Sequence, residues 1–397
     1  DAPTPDAPTL ARKKLPRDAG RMSPPDMHAF DAVVIGAGIA GASAAANLAP
    51  DRRVALIEAE ESAGYHTSGR SAATWFLNYG PPDVRAMTGA SGPFFHNSPP
   101  GFTDAPLMAR RGVLMLASPG HETTLQEMLD EGVGWRTLTP AQARELVPAL
   151  RPGYTVAAAI EDDAFDMDVA ALLQGFLREL HRHGGKLALR SRAGRIERHG
   201  GTWHVEVTGG AVFSAPIVVN AAGAWGDEVA AQAGVAPLGL QPKRRTAALI
   251  DPAPWAVAGW PVVSDVSGTW FARVEARTKL LVSPLDETPM PPQDIQPDDL
   301  DVAIGIDRIQ QALDIEVRRV EHARAGLRSI LPDGSFALGW DVSAEGFFWC
   351  IGQGGYGIQT SPAAERLVAD LVAGRDPGEL GRILARIDPR RFVAATA

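Results

Sequence analysis

Residues 32–58 of the chain, AVVIGAGIAGASAAANLAPDRRVALIE, carry the strongest fold signal. The run Phe30–Ile35 is apolar apart from Asp31 and shows little alternation, which is typical of a strand buried on both faces of a parallel sheet. Gly38–Leu48 is rich in small residues that form helices, and a second apolar run follows at Arg53–Glu58. A strand, a helix and a second strand in this order predict a βαβ unit at the start of the folded chain.

Three glycines in this stretch have the spacing of a dinucleotide-binding turn. Gly36, Gly38 and Gly41 form a GxGxxG pattern between strand and helix, and Glu58 lies 22 residues after Gly36. The first glycine permits a tight turn, the second lets a pyrophosphate approach the backbone, and the third allows close packing of helix on strand. Glu58 can bind ribose hydroxyls and would repel a 2′-phosphate, which disfavours NADP.

The same stretch has an alternative interpretation as a targeting or membrane segment. Residues 32–49 carry no charge and follow the basic segment ARKKLPR. A stretch of about 18 residues with regularly spaced glycines is poor for spanning a bilayer, and a cleaved segment would not need the strand that follows. We therefore expect no integral membrane segment and a cytoplasmic protein.

Composition excludes several other classes of function. The chain has 397 residues, enough for two domains, with 38 basic and 47 acidic residues and a net charge of −9. This balance argues against nucleic acid as the main partner. The single Cys350 excludes an intrachain disulfide and a cysteine-rich zinc site, and the nine histidines show no metal-ligand spacing. Residues 1–27 are rich in Pro, Asp and Ala, which predicts a disordered extension.

Periodicity and glycines predict further elements downstream. Asp166–His183 is an amphipathic helix, with Asp168 as a plausible N-cap and Gly184–Gly185 at its end. Residues 281–299 form a Pro- and Asp-rich loop before a helix at about Leu300–Leu313. The remaining predicted elements are strands at Lys186–Arg190, Gly194–Arg198, Thr202–Thr208, Ile217–Asn220 and Phe347–Gly352, and a C-terminal helix that begins near Ser361.

Two later segments favour FAD over NAD as the dinucleotide. GYHTSGRSAA, Gly64–Ala73, follows the second strand and is dense in small and hydroxyl residues that can lie under a flat ring. GQGGYGIQ, Gly352–Gln359, opens the C-terminal helix, whose N-terminus can stabilise negative charge on a reduced ring. Such segments at both ends of the chain suit a long cofactor.

These motifs carry a family resemblance. VIGAGIAGAS, GYHTSGRSAA, NAAGAW, GLQPKRR, AGLRS and EGFFW followed by QGGYGIQT occur in this order between residues 29 and 375. The chain resembles the FAD-dependent D-amino-acid oxidoreductase superfamily, and within it most closely the bacterial D-arginine dehydrogenases. The resemblance implies an α/β fold, with a Rossmann-like FAD-binding domain and a mainly antiparallel α+β substrate domain. It also implies hydride transfer from a D-amino acid to flavin N5, release of a 2-oxo acid and ammonia, and O2 or a quinone-type electron acceptor.

The resemblance also implies domain boundaries and site residues. The FAD-binding domain would comprise residues 28–95, 155–235 and 325–390, and the substrate domain residues 96–154 and 236–324. Arg328 of AGLRS would pair with the substrate carboxylate, Arg245 would assist it, and Tyr79 would close over the substrate. The implied catalytic set is Arg328, Tyr79, Arg245, Thr74, Phe271 and Gly355. The implied cofactor set is Gly36, Gly38, Ile39, Ala40, Gly41, Glu58, Ala59, Thr67, Ser68, Gly69, Arg70, Ser71, Ala72, Ala193, Gly354, Tyr356, Gly357, Ile358 and Gln359.

Three positions depart from the D-arginine dehydrogenase pattern. Thr74 replaces a histidine, Phe271 replaces a lid tyrosine, and alignment places Gly112 where that family has a glutamate facing the cationic side chain. Without that glutamate a substrate guanidinium would lack its partner, so we expect a neutral or acidic substrate side chain.

Relatives that tether their flavin use a cysteine within the region that corresponds to AGLRSILPDG. This chain has no cysteine in that region, so noncovalent FAD is expected. We expect Cys350 to be a core residue and His66 to be structural.

Other activities stay open at this point. A glycine, sarcosine or proline oxidase of the same fold would also need a carboxylate clamp and would produce H2O2. A flavin-binding protein without turnover would be yellow and would stay oxidised with every amine. A nicotinamide dehydrogenase is the third alternative, and it would contain no flavin.

Overall fold

The computed structural model describes residues 27–392, so the extension predicted at residues 1–27 lies outside the described residues, apart from Met27. The strands, numbered in chain order, are β1 (Met27–Ala29), β2 (Ala32–Ile35), β3 (Val54–Ile57), β4 (Thr74–Trp75), β5 (Met108–Arg110), β6 (Val113–Ala117), β7 (Trp135–Leu138), β8 (Ala157–Glu161), β9 (Phe165–Met167), β10 (Lys186–Ala188), β11 (Ala193–His199), β12 (Thr202–Val207), β13 (Val212–Ala215), β14 (Ile217–Asn220), β15 (Gln241–Ile250), β16 (Val262–Asp265), β17 (Phe271–Glu275), β18 (Lys279–Ser283), β19 (Val320–Ile330), β20 (Ala337–Trp340) and β21 (Phe347–Ile351). The helices are α1 (Ile39–Leu48), α2 (Pro82–His96), α3 (Glu122–Glu131), α4 (Pro140–Leu146), α5 (Val169–Arg182), α6 (Gly226–Gln232), α7 (Asp299–Ala312), α8 (Gly357–Ala373) and α9 (Leu384–Ile387).

A six-stranded sheet contains the predicted βαβ unit. Its order is β10-β3-β2-β14-β21-β20, and every neighbouring pair is parallel except β20 with β21. Val34 pairs with Leu56 on one side and with Val219 on the other, and all three side chains are fully buried. Burial on both faces explains the unbroken apolar runs of these strands.

Each face of this sheet is covered by a separate apolar core. Helices α1, α2, α5 and α8 pack on one face. The other face meets α6 and a four-stranded sheet of order β1-β13-β12-β11. The β2 strand begins two residues later than predicted, because Phe30 N–H donates to Ser214 O at 2.8 Å and so continues the pairing of β1 with β13.

A second, eight-stranded sheet carries the other half of the fold. Its order is β19-β15-β18-β17-β16-β6-β8-β7, and all neighbouring pairs are antiparallel except β16 with β6. Residues of α4 and α7 bury apolar side chains against it. A parallel nucleotide-binding-type sheet with a large antiparallel sheet confirms the predicted fold class. The predicted domain boundaries stay predictions.

The helix α8 begins earlier than the sequence predicted. It begins at Gly357 rather than near Ser361, so the glycine-rich segment leads directly into its first turn. Pro362 lies inside this helix and has no N–H, and the Ser361 hydroxyl donates instead to Ile358 O at 3.1 Å. Both β2 and β21 run parallel to β14, so the N-terminus of α8, which follows β21, lies at the same edge of the parallel sheet as the turn between β2 and α1.

Among residues 27–392, no helix combines the length and apolarity needed to cross a bilayer.

Candidate active site

The turn after β2 leaves no room for side chains at its glycines. A Cβ on Gly41 would lie 1.8 Å from Gly36 O, and a Cβ on Gly36 would lie 2.6 Å from Ala221 O. Gly36 also has a φ of +100°, which L side chains rarely adopt. A Cβ on Gly38 would meet Ser68 Oγ at 3.3 Å. Gly41 therefore packs α1 against the turn, as the dinucleotide fingerprint requires.

Glu58 lies at the end of β3, beside this turn. Its Oε2 accepts a hydrogen bond from Ala37 N at 2.7 Å, and its Oε1 accepts one from Glu60 N at 3.0 Å. The side chain is only 9% exposed, and each carboxylate oxygen keeps one further lone pair. The geometry suits an acidic group that binds the two hydroxyls of a ribose.

A first cavity of about 160 Å³ opens at this point. Glu58 and Ala59 line one side, Ala193 another, and the ring of Trp225 lies 4.6 Å from that of His66. His66 Nε2 is 3.1 Å from Glu60 Oε1, so the ring is held within the protein. Trp225, the last residue of NAAGAW, was not among the predicted site residues, because nothing in its local pattern distinguishes a cavity-facing indole from a core one.

The segment Gly64–Ala73 connects the two sheets. Its short 3₁₀ helix, Thr67–Arg70, contacts β19, where Thr67 Oγ1 donates to Leu327 O at 2.8 Å. Ser68 Oγ accepts from Ile39 N at 2.9 Å and thereby caps the first turn of α1. Arg70 donates to Ile295 O at 2.9 Å and pairs with Asp294, so much of its guanidinium is used in holding the loop near residue 294.

A second cavity, also of about 160 Å³, borders the first. The two share Gly38, Thr67, Ser68, Ala221, Gly223 and Ala224. The second cavity continues to the N-terminus of α8, and its lining includes the predicted cofactor residues Ile39, Ala40, Arg70, Ser71, Ala72, Gly354, Gly357 and Ile358. Gly41 and Gly69 support the turns behind these cavities, and Tyr356 packs against Tyr79 with a centroid distance of 4.8 Å. Gln359 lies at the edge of a third cavity, and its Nε2 donates to Thr88 Oγ1 at 2.8 Å.

Arg328 lies where the second cavity meets the third. It lines both, as do Ser71, Phe271, Gly355 and Ile358. A Cβ on Gly355 would be 2.7 Å from Arg328 Cζ, so the guanidinium rests on the glycine backbone. Within residues 27–392, no carboxylate pairs with Arg328 and no group accepts a hydrogen bond from it. A half-buried guanidinium with open donors is a binding site for an anion.

Arg245 on β15 lies near Arg328 but has protein partners. Its Nε donates to Asp286 O at 2.9 Å and its Nη2 to Glu287 Oε1 at 2.9 Å. Burial, followed by the charge of Arg328, lowers the pKa of Arg245 to about 10. Arg245 is therefore partly compensated by Glu287, whereas Arg328 has no such partner among residues 27–392.

The third cavity has a volume of about 390 Å³. Predicted residues Thr74, Tyr79, Phe271, Arg328 and Gly355 line it together. Tyr79 is held between Phe76 and Tyr356, with a centroid distance of 4.8 Å to each. The structure therefore brings the predicted catalytic set to one place, with Arg245 at the adjoining cavity.

Glu161 supports the loop that carries Tyr79. The sequence motifs did not identify Glu161 as a residue of the site. Its Oε1 accepts from Leu77 N at 2.6 Å and its Oε2 accepts from Asn78 Nδ2 at 2.7 Å. The side chain is 4% exposed, and burial raises its pKa. In the sequence it is the last residue of an apolar strand, where no motif marks it.

Gly112 does not face the third cavity. A Cβ at this position would contact Glu161 O and Ile160 Cδ1, both at 3.6 Å, while Val113 and Met115 line the cavity instead. The alignment that placed Gly112 against the substrate side chain is therefore wrong for this fold. Arg110 and Arg111 pair with Asp163 and Asp166, so they add no free charge to the site.

Comparison with known proteins agrees with this geometry. Residues 31–371 match the model of a family described as DAO, FAD dependent oxidoreductase. The chain is similar in structure to L-proline dehydrogenase from P. horikoshii, with a TM-score of 0.80 and 20% identity over 94% of this chain and 99% of that one. It is also similar to glycine oxidase from Geobacillus kaustophilus, with a TM-score of 0.79 and 23% identity over 91% and 98% of the two chains. L-amino acid deaminase from Proteus vulgaris gives a TM-score of 0.74 and 17% identity over 93% and 97%. At these identities the solved structures establish a shared fold.

Proposed function

The chain belongs to the DAO family of FAD-dependent oxidoreductases, and from that premise we propose that it oxidises a D-amino acid to the corresponding imino acid. Water then converts the imino acid to a 2-oxo acid and ammonia. The observation that carries the proposal is the guanidinium of Arg328 between the second and third cavities, which has no partner among residues 27–392.

A half-buried guanidinium without a carboxylate partner among residues 27–392 favours an anionic ligand. Removing a cation from water costs free energy unless an anion and hydrogen bonds compensate for the lost hydration. A carboxylate matches the planar fork of a guanidinium, and it would gain a second positive charge from Arg245. A plain amine has no carboxylate for this clamp, so an amino acid is the better substrate.

The first two cavities support the binding of FAD. The glycine turn and the N-terminus of α1 suit a pyrophosphate, Glu58 suits a ribose, and the N-terminus of α8 borders the second cavity. When bound, FAD supplies the two-electron acceptor for the hydride that leaves the substrate Cα. Noncovalent binding is supported by Cys350, the only cysteine, because it is fully buried in β21 and lines none of the three cavities.

The residues of the third cavity would orient the substrate and exclude water. Arg328 and Arg245 would hold the carboxylate, while Tyr79 and Phe271 would cover it. Among the residues that line this cavity, the carboxylate is Asp265, which already accepts from Tyr154 OH at 2.9 Å and from Ser267 N at 2.9 Å. We therefore propose that the amine binds in its neutral form, so that loss of the hydride from Cα leaves a protonated imine and no side chain has to accept a proton in that step. Water then takes the proton of the imine.

The finer features of the proposal rest on the sequence motifs together with these contacts. The order of motifs supports a D-arginine dehydrogenase-like enzyme with O2 or a quinone-type acceptor. A non-cationic side chain is favoured because Asp265, the carboxylate that lines the third cavity, is only 1% exposed. The similarity to glycine oxidase and L-proline dehydrogenase makes an amine oxidase of that type the second candidate, since it would use the same clamp.

The test is anaerobic reduction of the purified holoenzyme by amino acids added one at a time. We expect a flavin spectrum that bleaches with a neutral D-amino acid. Bleaching by glycine, sarcosine or proline alone would favour the second candidate. A yellow protein that no amine bleaches would contradict turnover, and a colourless one would contradict FAD binding.

Variants of Arg328 distinguish its proposed role in binding the substrate carboxylate from the binding of the cofactor. We expect Arg328→Met to retain the flavin spectrum and to lose substrate affinity, and Arg328→Lys to recover part of it because the charge remains without the fork. Unchanged substrate affinity in Arg328→Met would contradict the proposed role of Arg328.

A further inference from the structure

The part of the third cavity that lies away from the second cavity has an apolar lining. We call it the side-chain chamber and define it by Met115, Met128, Trp135, Val262 and Val266, which line the third cavity and not the second. These residues come from β6, α3, β7, β16 and the turn after β16. They belong to two small apolar clusters that share Met115. Arg328 and Gly355, by contrast, line both cavities.

Two of the polar side chains around the chamber, Asn78 and Ser264, are already engaged with the protein. Asn78 Nδ2 donates to Glu161 Oε2 at 2.7 Å and to Val133 O at 2.8 Å, and its Oδ1 accepts from Val133 N at 2.9 Å. Ser264 Oγ donates to Trp270 O at 3.1 Å. Asn78 and Ser264 therefore do not favour a polar ligand. The buried indole N–H of Trp135, by contrast, has no hydrogen-bond partner among the described residues.

The chamber also borders one carboxylate among the described residues, and this carboxylate is buried. Asp265 is 1% exposed, and its two oxygens accept from Tyr154 OH and Ser267 N. The Tyr154 hydroxyl in turn accepts from Trp270 Nε1 at 2.7 Å. At 1% exposure the Asp265 carboxylate offers almost no surface to a ligand, so a guanidinium or ammonium group in the chamber could pair with it only if the surrounding residues moved. A carboxylate in the chamber would approach Asp265 without a cation beside it.

We propose that the site selects amino acids with a bulky apolar side chain, aliphatic or aromatic, which fills the side-chain chamber while Arg328 holds the carboxylate. This inference rests on the proposed function and extends it to the substrate class. A cavity of about 390 Å³ is within the range of small-molecule sites, about 300–1,000 Å³, and glycine would leave it largely unfilled. Acidic and basic side chains are disfavoured because they would lose hydration without gaining a partner.

The first experiment measures binding without turnover. The oxidised holoenzyme is titrated with 4-methylpentanoate, acetate and glutarate, which carry a carboxylate but no amine, and the flavin spectrum reports binding. Burial of a leucine-sized side chain predicts that 4-methylpentanoate binds about 10- to 100-fold more tightly than acetate. Equal affinities, or tighter binding of glutarate, would overturn the proposal.

The second experiment compares substrates by anaerobic flavin reduction. We expect D-leucine, D-methionine and D-phenylalanine to exceed glycine, D-glutamate and D-arginine by about tenfold or more in reduction rate over apparent Kd. Faster reduction by D-arginine or glycine would overturn the substrate class and leave amino-acid oxidation in place. If no amino acid reduces the flavin while 4-methylpentanoate still binds tightly, amino-acid oxidation fails and the apolar chamber stands.

Two neighbouring variants on α3 provide a matched control. Met128 and Leu129 are both half-buried in the same apolar cluster, but only Met128 lines the cavity. Met128→Glu places a carboxylate in the chamber, and we expect the ratio of D-leucine to D-arginine reduction rates to fall by about tenfold or more. Leu129→Glu should leave that ratio unchanged. Equal effects of the two variants would show that the chamber does not select the side chain.

Discussion

Replacement of Gly355 by alanine would place a methyl group against the Arg328 guanidinium. The new Cβ would lie 2.7 Å from Cζ, 2.9 Å from Nη1 and 3.0 Å from Nε. Carbon atoms at optimal contact are about 3.5–4.0 Å apart, so the guanidinium would have to move by about 1 Å. Gly355 is not among the glycines with positive φ, so the backbone accepts alanine without strain.

This displacement should reduce function and leave stability almost unchanged. A misplacement of about 1 Å in a group that positions the substrate can cost about 100-fold in rate. Arg328 has no protein partner to lose among residues 27–392, and its flexible side chain can move away. We therefore expect Gly355→Ala to lower kcat/KM by about 100-fold and to change the free energy of unfolding by less than about 0.5 kcal/mol.

A double-mutant cycle identifies Arg328 as the cause. Binding of 4-methylpentanoate to the oxidised holoenzyme is measured in the wild type, Gly355→Ala, Arg328→Ala and the double variant. The glycine substitution should weaken binding strongly in the wild type and by less than about threefold in Arg328→Ala, where the colliding atoms are missing. Gly259→Ala is the control, because a Cβ there would meet no atom within 4 Å. Equal losses in both Arg328 backgrounds would refute the reasoning and would show that Gly355 acts through its own backbone.

Three further predictions concern the glycine turn, a buried carboxyl and a strained loop. Gly41→Ala should abolish flavin binding and lower the melting temperature, because its Cβ would lie 1.8 Å from Gly36 O; retained flavin absorbance would contradict this. Burial raises the pKa of Glu161, so its contribution to stability is complete below the ordinary value and is lost as pH rises through the raised value. The wild type should therefore lose stability relative to Glu161→Gln in urea unfolding as the pH rises above the ordinary glutamate pKa, and parallel pH profiles of the two proteins would count against this prediction. Arg277→Gly should raise the free energy of unfolding by about 1 kcal/mol, because exposed Arg277 has a φ of +65°; lower stability would show that its side chain matters more than its backbone.

Local patterns explain why much of the fold was predictable. The strands β2 and β3, the helix α1 and the helix α5 depend on apolar periodicity and caps within a few residues. Asp168, for example, accepts from Ala171 N at 2.8 Å, as its position before α5 predicted. The start of α8 was predicted too late, because a tertiary environment keeps Gly357 helical where its propensity alone does not.

The candidate site was predictable only where a motif marked it. The glycines of the turn and Arg328 belong to sequence patterns with a chemical purpose. Glu161 and Trp225 belong to an ordinary apolar strand and an ordinary small-residue turn, and their roles depend on partners more than 80 residues away, such as Leu77 for Glu161. The orientation of Gly112 depends on how β6 pairs with β8 and β16.

The sequence by itself determined the dinucleotide turn and the order of the main elements. These follow from spacing within short segments, where backbone geometry relates residue number directly to position. Only the tertiary structure decided that Arg328 rests unpaired on Gly355 and that Met115, Met128 and Trp135 line one chamber. Those side chains lie on separate elements of the chain, and they converge because the pairing of distant strands determines which face of each element points inward.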